Sequence, residues 1–111
     1  MSVTATTDPN GIVLVAVEGQ LVVGNRQELK NLVHESLERG GRKFVIDCTR
    51  TAYIDSSGLG ALVSMSRKVR ETGGELRIAG LNEDLRSLFE LTKLDTLFRI
   101  VETPDQAVAG F

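Results

Sequence analysis

The sequence predicts an α/β fold in one small domain: a mixed, mostly parallel sheet with an antiparallel hairpin strand at one edge and about four helices packed on it. Three observations carry this. Strand-like and helix-like segments alternate from residue 12 onward, as in strand-helix-strand crossovers. A Pro9-Asn10-Gly11 turn joins two β-prone runs before the alternation starts, which makes the opening pair antiparallel. With 111 residues the chain can build one core but not two, so a single domain is expected over 1–111.

The first strand is expected from Ser2 to Thr7, and the second is Ile12-Val13-Leu14-Val15-Ala16-Val17 across the turn. After Gly19 and Gly24, Asn25 stands as a helix cap with Glu28 three residues on. Leu29, Leu32, Val33 and Leu37 then recur at helical spacing until Gly40-Gly41, an apolar stripe to be turned to the sheet. Phe44-Val45-Ile46 is a continuous apolar run between charges, the mark of a central strand covered on both faces. A loop follows, and from Ser57 a second helix sets Leu59, Leu62, Val63, Ser66 and Val69 against Arg67, Lys68, Arg70 and Glu71, ending at Gly73-Gly74.

Leu76-Arg77-Ile78-Ala79 alternates as a strand, and Asn82 caps a third helix holding Leu85, Leu88 and Phe89, which ends near Thr92-Lys93. Leu97 to Val101 reads as the last strand. Thr103-Pro104-Asp105-Gln106 then opens a short terminal helix with a capping threonine, a proline at the first helical position and a glutamine three after the cap.

Composition excludes several classes of function. The net charge of -2, with no run of Lys or Arg, gives no footprint for nucleic acid or an acidic membrane surface. No apolar stretch approaches the ~20 residues that span a bilayer, and Met1-Ser2-Val3-Thr4 lacks the basic and apolar parts of a signal peptide. The single cysteine, Cys48, cannot form an internal disulfide, so a reducing cytoplasm is the expected location. One histidine and one cysteine offer no metal site, and Gly58-Leu59-Gly60 is not followed by the Gly-Lys-Ser/Thr of a phosphate loop, so neither metal nor cofactor is expected. A serine hydrolase built on Ser56 or Ser57 would need His34 as base. That residue lies mid-helix and no Gly-x-Ser-x-Gly elbow is present, so an enzyme is not expected.

The informative stretch is Val45 to Leu62. Asp55, Ser56 and Ser57 sit where the free N–H groups of a new helix need acceptors, while Gly58 and Gly60 leave the surface around them open. Taken alone, this is what any capped helix start shows. The run Ile54-Asp55-Ser56-Ser57-Gly58-Leu59-Gly60, however, resembles the phosphorylation loop of STAS-domain anti-sigma factor antagonists. The strand ending in Asp47, the Glu71-Thr72-Gly73-Gly74-Glu75-Leu76 passage and Leu91-Thr92-Lys93-Leu94-Asp95-Thr96-Leu97-Phe98 are similar to that family's pattern in the same order.

The resemblance implies a small STAS-like domain that binds an anti-sigma factor with serine kinase activity and so frees a sigma factor. It implies phosphorylation at the second serine of the motif, here Ser57, release of the kinase, and a serine phosphatase that restores the active form. The implied partner surface is Asp55, Ser56, Ser57, Gly58, Leu59 and Gly60, with Gln20, Leu21 and Val22 from the early loop. One position departs from the pattern: Gly19-Gln20-Leu21 is followed by Val22, where many members carry Asp. The same domain type also serves as a regulatory subunit in other phospho-signalling complexes, which is the alternative reading.

Overall fold

The opening turn closes through its aspartate. Asp8 Oδ1 accepts the N–H groups of Asn10 and Ile12, each at 2.9 Å, and Gly11 takes a φ of +81° that only glycine adopts freely. This sets β1 (Ser2–Thr7) antiparallel to β2 (Ile12–Leu21), with Thr7 opposite Val13 and Ser2 opposite Glu18. In this computed structural model, which describes residues 2–111, the chain continues as α1 (Arg26–Glu38), β3 (Lys43–Asp47), β4 (Thr51–Ile54), α2 (Ser56–Glu71), β5 (Glu75–Ala79), α3 (Glu83–Leu91), a 3₁₀ turn (Leu94–Thr96), β6 (Arg99–Val101) and α4 (Pro104–Ala109).

The sheet order is β1-β2-β3-β5-β6, with β4 paired to β2. All pairings except β1 with β2 are parallel, so the α/β class, the mixed sheet, the antiparallel edge strand and the four helices stand as the sequence predicts. Strand alternation divides the apolar residues between two faces. Val13, Val15, Val17, Phe44, Ile46, Leu76 and Ile78 pack with Leu29 and Val33 of α1, Leu62, Met65 and Val69 of α2, and Leu85 and Phe89 of α3. Ile12, Val45 and Ala79 face the other way onto Ala107 of α4.

The back face buries one charge among the described residues. Arg77 is only 4% exposed. Its Nη1 and Nη2 donate to the carbonyls of Ala107 and Gly110, each at 2.9 Å, its Nε pairs with Glu75, and its guanidinium stacks 3.8 Å from the Phe111 ring centroid. Each of the three guanidinium nitrogens thus has an acceptor and the Phe111 ring covers the group, which makes its burial tolerable.

In the extents of the elements, four details differ from the sequence reading. The second strand runs on past Val17 to Leu21, because Gly19 (φ +87°) accommodates a register shift at Gly19/Gln20 that lets the strand find a new partner. That partner is β4, a strand where a loop was expected, pairing Gly19 with Thr51, Gln20 with Tyr53 and Leu21 with Ile54. The last strand is shorter at its start, since Leu94–Thr96 winds into a 3₁₀ turn, with Leu97 at its C-cap and Phe98 turned into the core against Phe89. Finally α2 begins at Ser56 rather than Ser57, with Asp55 as its cap.

Candidate functional site

α2 starts immediately after β4, and its first turn is fixed by one side chain. Asp55, in extended conformation, accepts the Gly58 N–H and the Ser57 hydroxyl at Oδ1, both at 2.7 Å. Its Oδ2 accepts the Val23 N–H at 3.3 Å, and its own N–H donates to the Leu21 carbonyl at 3.1 Å. The carboxylate therefore caps the helix and ties it to the end of β2. These bonds hold its pKa below the ordinary value, with the Gly58 N–H as the largest cause and the Ser57 hydroxyl next.

Gly58 explains how close the two elements lie. A Cβ there would overlap the Leu21 carbonyl oxygen and stand 2.9 Å from Ile54 Cγ2, so only glycine permits this packing of α2 on β2 and β4. Gly60, by contrast, has open space where its Cβ would be. The early loop is pinned by Asn25, which is 4% exposed. Its Oδ1 accepts the Val22 N–H at 2.8 Å and its Nδ2 donates to the Gln20 carbonyl at 2.7 Å. Asn25 stands at the N-cap of α1, as expected, but its side chain makes no cap bond, being turned back to the Val22 N–H and the Gln20 carbonyl of the loop.

The residues expected to form the partner surface are brought together but differ in exposure. Ser56 and Gly60 are exposed, with Gln20; Asp55, Ser57, Leu59 and Val22 are half-buried. Leu21 is wholly buried and Gly58 nearly so, and both act by positioning the turn rather than by presenting a side chain. No hydrogen bond engages the Ser56 hydroxyl among the described residues, whereas that of Ser57 is held by Asp55. Two residues that motif reasoning passed over stand beside the site: Val23 is 66% exposed and Tyr53 53%. An apolar residue next to Gly24 in a loop is the signal that could have found Val23.

The remaining chemistry-bearing residues lie elsewhere. His34 on α1 is exposed and pairs with Glu38 at 2.9 Å. Cys48 is buried, and burial pushes its thiol up to about 12, leaving it un-ionised at neutral pH. Among the described residues no helix is long and apolar enough to cross a membrane, and no group of three His, Cys, Asp or Glu could hold a metal ion.

This arrangement has known counterparts. The STAS domain family matches residues 4–107. The chain belongs to that family. Among curated STAS relatives, an anti-sigma-B factor antagonist of Staphylococcus aureus is 30% identical over 97 residues, covering 87% of this chain and 90% of its own. A crystal structure from Thermotoga maritima superposes with a TM-score of 0.89 at 23% identity, covering 97% of this chain and 92% of that one. The anti-sigma factor antagonist SpoIIAA superposes with a TM-score of 0.77 in its unphosphorylated form (13% identity, 98% and 96% of the two chains). Its phosphorylated form from Bacillus gives the same score (16% identity, 97% of each chain).

Proposed function

We propose that the protein is an anti-sigma factor antagonist working as a phosphorylation switch. Unphosphorylated, it binds an anti-sigma factor that is also a serine kinase, and a sigma factor is released. Phosphorylated in the Asp55-Ser56-Ser57-Gly58 turn, it lets the kinase go, and a serine phosphatase resets it. The observation that carries the reading is a helix start tied rigidly to β2 and presenting an exposed serine, in a chain that matches STAS antagonists almost end to end.

The resemblance puts the phosphate on Ser57, but the local geometry favours Ser56. Ser57 is half-buried and its hydroxyl faces the Asp55 carboxylate at 2.7 Å, so a phosphate there would press two anions together and break the cap. Asp55 is also a poor base to draw off the Ser57 proton, because its pKa is held low. Ser56 is exposed in the first turn of α2, where the helix N-terminus tolerates negative charge. A phosphate on Ser56 alters the partner surface and leaves the Asp55 bonds intact.

Incubation with the anti-sigma kinase that co-purifies from the native cell, with ATP, followed by phosphopeptide mapping, tests this. One phosphate is expected, on Ser56, lost in Ser56→Ala and kept in Ser57→Ala. A phosphate on Ser57 would restore the motif-based position, and no phosphate on either serine would overturn the switch.

A further inference from the structure

A groove of about 300 Å³ lies between α1 and α2, away from the Ser56 turn and sharing none of its residues. Its floor is apolar, formed by the buried Val33, Leu37 and Met65. Its rim carries Lys30 and His34 from α1 and Lys68 and Ser64 from α2, and no carboxylate lines it. Neither lysine is in an ion pair among the described residues, and His34 is paired with Glu38 outside the groove lining. In a chain of net charge -2, two unpaired lysines lining one groove with an apolar floor and no carboxylate make a locally basic site. Concavity, an apolar base and a few polar groups at the rim are the features of small-molecule sites.

We propose that this groove binds a small organic anion, its apolar part on Val33, Leu37 and Met65 and its phosphate or carboxylate held by Lys30 and Lys68 through charge-assisted hydrogen bonds. Because no residue of the groove belongs to the phosphorylated turn, the proposal stands apart from the antagonist reading.

Phenyl phosphate and benzoate, titrated into ¹⁵N-labelled protein and followed by amide chemical shifts, test it, with phenol and inorganic phosphate as probes that keep only one half of the ligand. Saturable shifts are expected at Lys30, His34, Ser64 and Lys68 with the two organic anions, about tenfold weaker with either half alone. The stronger of the two anions identifies the headgroup. The double variant Lys30→Gln/Lys68→Gln, its fold checked by the rest of the spectrum, is expected to bind about tenfold more weakly. Absent saturation, shifts centred elsewhere, a phenol response equal to that of phenyl phosphate, or unchanged affinity in the double variant would each overturn the proposal.

Discussion

Both carboxylate oxygens of Asp55 are engaged, one with Gly58 and Ser57 and the other with Val23, and each bond favours the ionised form. A folded pKa below the ordinary 3.8 contributes stability that is complete above that value and is lost as pH falls through the lower folded one. Thermal melts should therefore show wild type losing more Tm than Asp55→Asn between about pH 5 and about pH 2. The amide oxygen of that variant can still accept the Gly58 N–H but does not titrate; parallel acid limbs would contradict the assignment. The two glycines of the turn should respond in opposite ways. Gly58→Ala must push α2 off the Leu21 carbonyl and is expected to destabilise by about 1–3 kcal/mol. Gly60→Ala meets open space within a helix and should stabilise by about 0.5–1 kcal/mol, both read by denaturant unfolding.

At the scale of elements, the sequence signals that worked were local ones. Asn82 accepts the Leu85 N–H at 2.8 Å, and Thr103 with Gln106 closes the capping box, as their spacing predicts. What escaped was decided by distant partners. Thr51-Ala52-Tyr53-Ile54 is too short to show a period, and it becomes a strand because Gly19 lets the end of β2 reach it. Asn25 has the right type and place for a cap, and nothing local reveals that the Val22 N–H and Gln20 carbonyl claim it first. The Asp-Ser-Ser-Gly turn was legible as a motif, but which serine is exposed depends on Asp55, whose bonds are seen only in the folded turn. Arg77 reads as an ordinary alternating strand residue, yet it fastens α4 to the sheet. Arg77→Met should leave the carbonyls of Ala107 and Gly110 unpaired, costing about 1–3 kcal/mol, with faster hydrogen exchange confined to α4. Unchanged exchange there would show that apolar contact alone holds the helix.

For the whole molecule, the turn proposed to carry the switch is assembled from the end of β2, from β4 and from α2, and the core behind it is continuous through Leu21, Ile54 and Leu62. A site built this way changes its surface without changing its fold. Under the proposed switch, phosphorylation would add about 1.5 to 2 negative charges to a helix start that tolerates them, so the effect would be local and felt by the partner rather than by the core. Calorimetric titration of the co-purifying anti-sigma kinase with the unphosphorylated and the phosphorylated protein, each with a matched thermal melt, tests the switch most directly. The account predicts closely similar melting and at least about tenfold weaker binding by the phosphoprotein; equal affinities of the two forms would contradict it.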